Sequence, residues 1–391
     1  MDPIRNPYSP GAGSPPPALA GRDDLREKVH IAIERIKLGR NSKSVLMIGL
    51  RGVGKTVLLD HIRNRAEADG HFSIRIEAPE HRSLPGILAP QLRQALIKLS
   101  RLEKAKSLAQ RALRALAGFA KLKVKYEDLE VGLDFDPEPG LADNGDLESD
   151  LQDLLVTVGQ AAHAAESSFI LFIDELQYVP EDQLAHLIAA LHKTAQLSLP
   201  VTLVGAGLPQ LTGQMGKAKS YAERLFDFPF IGALTPEAAR DALTIPAEEE
   251  GVSFEPAALD YLIEQTQGYP YFLQEWGKHA WDIAERSPIT LADCQQATES
   301  ATAALDASFF RVRFDRLTPL EKKYLRAMAE LGPGPHRSGD IAETLGRSSQ
   351  SLAPTRAKLI TKGMVWSPSH GDTAFTVPLF DQYMKRIMNL E

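Results

Sequence analysis

At 391 residues the chain is long enough for two or three domains with more than one buried core. Its 43% hydrophobic and 24% charged residues exclude a collagenous or wholly disordered chain, and its single cysteine, Cys294, excludes an internal disulfide or a cysteine-built zinc site. The net charge of −7 is unevenly spread: from Arg316 onward there are 11 Lys and Arg against 7 Asp and Glu, a local balance of +4. No apolar run approaches the roughly 18 residues of a membrane span. The start, MDPIRNPYSP, lacks the basic-then-apolar order of a signal peptide, so a cytoplasmic protein with no membrane partner is expected.

The first twenty residues hold six prolines and are expected to form a disordered or extended arm. Leu25 to Leu38 places apolar residues three and four apart, as an amphipathic helix does. Val45 to Ile48 is a buried strand that runs into glycines; a helix, Thr56 to about Ala68, and a strand, Phe72 to Glu77, follow. Leu84 to Ala120 spaces its leucines as two helices, Leu122 to Phe135 alternates like a hairpin, and Pro137 to Asn144 is a turn-rich link. Further apolar runs, Phe169 to Ile173 and Val201 to Val204, alternate with helical patterns, and Phe226 to Ile231 adds a strand. Buried strands alternating with helices predict an α/β fold: a parallel sheet with helices on both faces and ligands at the strands' carboxyl ends.

From Thr235 to about Ser308 the pattern is helical, and Leu317 to Ile387 gives helices followed by a short strand pair. The expected organisation is an arm (1–20), an α/β core (21–234) with an insertion (84–150), a helical lid and linker (235–315) and a small C-terminal domain (316–391). The insertion holds opposed charge blocks: ten Lys and Arg with one acid between Gln91 and Lys125, then eleven acids and no base from Tyr126 to Asp153. Such blocks either pair and lie on solvated faces or present a basic surface to an anionic partner.

Gly49-Leu50-Arg51-Gly52-Val53-Gly54-Lys55-Thr56 fits the phosphate-binding pattern G-x-x-x-x-G-K-[ST], with a strand before it and a helix after it. Backbone N–H groups of Gly49, Gly52, Val53, Gly54, Lys55, Thr56 and Val57 suit phosphate oxygens, Lys55 neutralises the β- and γ-phosphates, and the Thr56 hydroxyl suits Mg²⁺. Asp174 and Glu175 end a second buried strand. There Asp174 would hold Mg²⁺, usually through water, and Glu175 would orient and deprotonate the attacking water.

These residues resemble the AAA+ and STAND-type P-loop ATPases related to origin-recognition proteins, over nearly the whole chain from Gly21. Gly21-Arg22-Asp23-Asp24-Leu25 is similar to the segment that lies beside adenine in that group; Ile173-Asp174-Glu175-Leu176-Gln177 resembles its Walker B motif; Gly268-Tyr269-Pro270 resembles the lid motif whose proline approaches the base. The resemblance implies ATP or ADP with Mg²⁺ as ligands, Arg22 and Pro270 as base neighbours, and homo-oligomers on ATP binding. Arg224 is placed like an arginine finger acting on a neighbour's nucleotide; a surface arginine fits that position too. The strand after Walker B ends Val204-Gly205-Ala206-Gly207 without a polar sensor, and the helix after Gly268 lacks the lid arginine. With such charge-stabilising groups missing, and one finger alone worth about 10³-fold or more, turnover is expected to be slow.

Initiator-like relatives place DNA-contacting insertions where Lys98, Arg101, Lys104, Arg111 and Arg114 lie here, while Leu92, Leu96, Leu99, Leu113 and Leu116 suit a helical hairpin packed on the core. The C-terminal order of helix, helix, turn, helix and hairpin is that of a winged helix-turn-helix, opening at Thr318-Pro319. In it Gln350, Ser351, Thr355, Arg356 and Lys358 would face the major groove, from a first turn fixed by Pro354, and Lys362 and His370 would meet phosphates. The leading expectation is a nucleotide-dependent switch on double-stranded DNA. The alternatives are a STAND-type signalling ATPase whose winged domain docks protein, and a transposition-type ATPase that hands over a target site.

Overall fold

Three strands are buried along their whole length: β1 (Ser44–Gly49), β3 (Phe169–Asp174) and β4 (Val201–Gly207). β2 (Phe72–Glu77) instead alternates buried and partly open residues, and β5 (Phe226–Asp227) is short. The sheet order β2-β3-β4-β1-β5 explains the contrast, since β2 is an edge strand and the uniformly apolar runs lie inside. All four pairings are parallel, with Glu77 beside Asp174, Phe172 beside Val204, Val45 beside Val204 and Ser44 beside Phe226. β6 (Phe230–Ile231) also pairs β1.

This computed structural model describes residues 1–11, 13–78, 83–123 and 136–389. The chain divides into two compact units, one formed by Arg22–Ile48 and Leu58–Phe230, the other by Met1–Gly21, Gly49–Val57 and Ile231–Glu391.

In the first unit the helix Asp23–Lys37 buries Val29, Ile33 and Ile36, the stripe its spacing predicts. Helices Leu84–Leu99 and Lys106–Lys123 bury Leu92, Leu96, Leu99, Leu113 and Leu116 in one core with the strands. Leu122 and Lys123 end the second helix instead of opening a hairpin, and the remainder of that expected hairpin, 124–135, lies outside the described residues. Gly205 shows how closely β4 is packed: a Cβ there would stand 2.4 Å from Leu176 Cδ1 and 2.7 Å from Leu46 Cδ2. Gly205→Ala is therefore expected to destabilise the protein by ~1–3 kcal/mol, read as a lower denaturant midpoint with the slope unchanged.

In the second unit four helices, Pro236–Glu249, Pro256–Thr266, Pro270–Ile283 and Leu291–Leu305, lead into a π-helical turn, Asp306–Phe310. Beyond it come helix Pro319–Glu330, β7 (His336–Arg337), helices Ser338–Thr344 and Ser349–Thr361, β8 (Val365–Trp366), β9 (Asp372–Phe375) and helix Phe380–Ile387. β8 and β9 pair antiparallel as the sequence suggests, and β7 joins them on the other side of β9, a strand too short to signal itself. Thr318 caps its helix reciprocally with Glu321, and Pro319 takes the first position. Helix Ser349–Thr361 is capped by Ser348 and starts a turn earlier than Pro354 alone would fix, so the proline lies inside it.

Of the two expectations for the arm, disordered or extended, the ordered and largely extended one fits the described residues. The arm has little helix beyond Pro3–Arg5, but Tyr8 is buried in the lid core, its hydroxyl donating to the Leu243 carbonyl, while Trp281 Nε1 donates to Asp2 O at 2.9 Å. Gly277 makes the seat, because a Cβ there would meet the Tyr8 ring at 2.8 Å. Composition predicts that a proline-rich segment cannot build a core; it says nothing of one aromatic ring borrowing a core built elsewhere.

Candidate functional site

The phosphate loop runs from β1 to helix Lys55–Ala68. Gly49 is required sterically, since a Cβ there would lie 2.2 Å from the Ile231 carbonyl oxygen, and Gly52 and Gly54 turn the loop at φ of 81° and 85°. Val53 is buried, which pins the loop's middle. Lys55 is only 7% exposed and its ammonium donates to Gly49 O at 3.0 Å and Leu50 O at 2.8 Å, so the charge is folded back over its own loop. Thr56 and Val57 open the helix, half-buried. The arm passes here too: a Cβ on Gly13 would stand 3.6 Å from Thr56 Cγ2.

Two further segments hold the loop. Tyr271, the second residue of the helix that Pro270 begins, donates its N–H to Gly52 O at 3.1 Å, and Arg51 donates its own N–H to Thr376 O at 3.0 Å. The loop, Gly49–Val57, and both of these segments belong to one compact unit. Tyr271 stacks on Phe309 at 4.8 Å, Phe309 meets Phe310 at 5.2 Å, and Phe310 stacks on Tyr383 at 5.1 Å, a run of rings through the π-helical turn to the last helix.

At the end of β3 Asp174 is almost wholly buried. One carboxylate oxygen accepts the Glu175 N–H at 2.9 Å, the other faces Arg75 Nη2 at 3.2 Å. Arg75, on β2, also donates to Asp60 at 2.8 Å and to Ile76 O at 2.7 Å. Burial works against its charge, but Asp60 and Asp174 outweigh that and hold its pKa above the ordinary value. A carboxylate and a hydroxyl, as Asp174 and Thr56 each carry, are hard oxygen donors of the kind Mg²⁺ takes, directly or through water. Glu175 adopts a left-handed backbone (φ 52°, ψ 36°), and its carboxylate accepts from Gln177 Nε2.

Arg22 precedes helix Asp23–Lys37 half-buried, and burial lowers its pKa. Arg224 is exposed in the one-turn helix Ala222–Leu225 before β5. Sequence reasoning missed Arg75, whose signal was a lone cation between Ile74 and Ile76 in an apolar strand, and gave Gln177 no role. Thr376 had no signal, as any residue has a carbonyl.

The seven nucleic-acid candidates of the C-terminal domain separate. Gln350, Ser351 and Lys358 are exposed on helix Ser349–Thr361. Thr355 is buried, contrary to expectation, because it sits on the helix face with Leu352 and Leu359. Arg356 binds Thr373 Oγ1 at 2.7 Å, Ser367 Oγ at 2.8 Å and Asp372 O at 2.6 Å, tying the hairpin to the helix. Lys362 is paired with Glu321 at 2.7 Å. His370 is exposed in the β8–β9 turn. In the insertion Lys98 and Arg101 are exposed, while Lys104 pairs with Glu166 at 2.7 Å, and Arg111 and Arg114 share Glu138 at 3.3 and 3.4 Å. Lys104, Arg111 and Arg114 thus meet acids, and for Arg111 and Arg114 the acid, Glu138, belongs to the acidic block.

Among the described residues no helix is long and apolar enough to cross a membrane. Residues 18–204 match the AAA ATPase domain family, and residues 307–384 match a domain of unknown function, DUF8462. No curated protein matches the sequence. Among solved structures the chain is similar to the Walker-type ATPase PABY2304 of Pyrococcus abyssi, at 16% identity and a TM-score of 0.60, covering 94% of this chain and 96% of that one. Weaker likenesses include the Thermotoga maritima RuvB Holliday junction branch migration motor (17% identity, TM-score 0.45, 94% and 95% covered) and the Aeropyrum pernix Orc1 protein in complex with DNA (16%, 0.47, 95% and 94%). The parallel sheet and its helices form an AAA+ P-loop NTPase fold.

Proposed function

We propose that this chain, with its AAA ATPase domain and P-loop fold, binds and slowly hydrolyses ATP and works as a switch read out by its C-terminal domain. The observation that carries the switch is the pair of backbone bonds on one loop: Tyr271 N–H on Gly52 O and Thr376 O on Arg51 N–H. A loop that shifts when phosphates enter must move both partners. In this reading Gly49, Gly52, Val53, Gly54, Lys55, Thr56 and Val57 bind the phosphates, and Arg22 and Pro270 flank the base. Glu175 takes a proton from the attacking water. Asp174 and Thr56 would hold Mg²⁺, which supplies charge neutralisation on the phosphates. Arg224, exposed, would reach a neighbouring copy's nucleotide in an ATP-dependent homo-oligomer.

For the readout we favour a winged helix-turn-helix on double-stranded DNA, supported by the element order and by exposed Gln350, Ser351 and Lys358. A second reading, docking of a protein partner as in STAND-type signalling ATPases, is favoured by Arg356 and Lys362, whose charges are spent inside the domain. Steady-state ATP hydrolysis with and without random duplex, with Glu175→Gln as control, separates them. The DNA reading expects stimulation by duplex. It also expects binding that weakens about 40-fold between roughly 50 and 200 mM salt if three phosphates are contacted. Slow turnover indifferent to DNA, with salt-independent association, would leave the protein-docking reading.

A further inference from the structure

β4 ends in Gly-Ala-Gly, and the space beside these glycines is filled from the turn that follows β3. Glu175's left-handed backbone folds the next residues into a one-turn helix, Leu176–Tyr178, and this brings the Gln177 side chain back onto Glu175. Gln177 is buried; its Nε2 donates to Glu175 Oε2, and its Oε1 accepts the N–H of Leu208, the first residue after β4, at 3.0 Å. Because Oε1 is taken by a backbone donor, the amide has one orientation, with its NH₂ facing the carboxylate. Gly207 makes this possible, since a Cβ there would stand 2.9 Å from Gln177 Oε1. Gln214 adds a bond from its Nε2 to the Gln177 carbonyl at 3.4 Å.

We propose that Gln177 is the positioning residue of the hydrolytic step: it clamps the Glu175 carboxylate to the backbone at the end of β4. This rests on the assignment of Glu175 as base. Gln177 touches neither the phosphates nor the water; it fixes the rotamer of the group that does.

The test uses the full chain with Gln177→Leu, which removes the donor, and Gln177→Glu, which keeps the shape and the acceptor for Leu208 N–H but sets a like charge against Glu175. Both are expected to lower kcat by roughly 10- to 100-fold. The dissociation constant for a fluorescent ATP analogue should stay within about twofold. In the Glu175→Gln background, Gln177→Leu should cost no further single-turnover rate, because the side chain that is clamped there no longer accepts a proton and its placement does not matter to the step. If Glu175→Gln alone still hydrolyses ATP normally, the base assignment fails and the clamp with it. If Glu175→Gln is inactive but Gln177→Glu turns over like the unsubstituted protein, the clamp alone fails. A loss shared equally by kcat, nucleotide affinity and thermal midpoint would mean a merely structural glutamine and would also overturn it.

Discussion

Glu175→Gln is expected to lower ATP turnover by ~10²–10⁴-fold while nucleotide affinity stays unchanged. The substitution keeps shape and size, and a glutamine is no worse than a glutamate in the left-handed backbone that Glu175 occupies. It removes only the capacity to accept a proton from water. The neighbouring bonds survive, because the Glu175 N–H still reaches Asp174 and the Gln177 amide still finds an oxygen acceptor. Rapid-quench hydrolysis alongside equilibrium nucleotide binding checks both halves. Retained turnover would take Glu175 out of the base role and leave the buried Asp174 as the chemical centre of the strand end.

Lys55→Ala should act on the other quantity. The ammonium is held by the carbonyls of Gly49 and Leu50, poised over the loop where phosphates would enter. A charge-assisted bond to a phosphate contributes about 1.5–3 kcal/mol, so its loss should weaken ATP binding by roughly 10- to 150-fold, measured by isothermal titration. Because the side chain is also buried, truncation leaves two carbonyls without their donor, and Lys55→Met, which keeps the stem, separates packing from charge. Equal ATP affinity in Lys55→Met and the unsubstituted protein would place the phosphates elsewhere.

How much of this was legible in the sequence depends on where each signal lives. The phosphate loop, the buried strands and the carboxylate pair all announce themselves in residue type: glycines where a backbone must turn or approach closely, unbroken apolar runs where a strand is covered on both faces. Arg75 was legible in principle as a cation in an apolar strand, but its partners, Asp60 and Asp174, come from distant segments. Thr355, Arg356 and Lys362 show the opposite failure. Polar residue types on a helix suggested outward contacts, yet a hydroxyl sits comfortably in a core, a guanidinium can serve its own hairpin, and an ammonium can complete a cap by pairing with Glu321. The bonds from Arg51 to Thr376 and from Tyr271 to Gly52 use backbone atoms alone, and backbone atoms carry no residue code.

The seat of Tyr8 has a consequence for the order in which the protein comes into being. Its partner carbonyl, Leu243, lies 235 residues further along the chain. At a synthesis rate of about 5–20 residues per second, Tyr8 leaves the ribosome some 10–50 s before its acceptor exists. Every strand of the parallel sheet is made within that interval, while the lid is not. The nascent sheet can therefore assemble with the arm still untethered, and residues made before the sheet find their place after it.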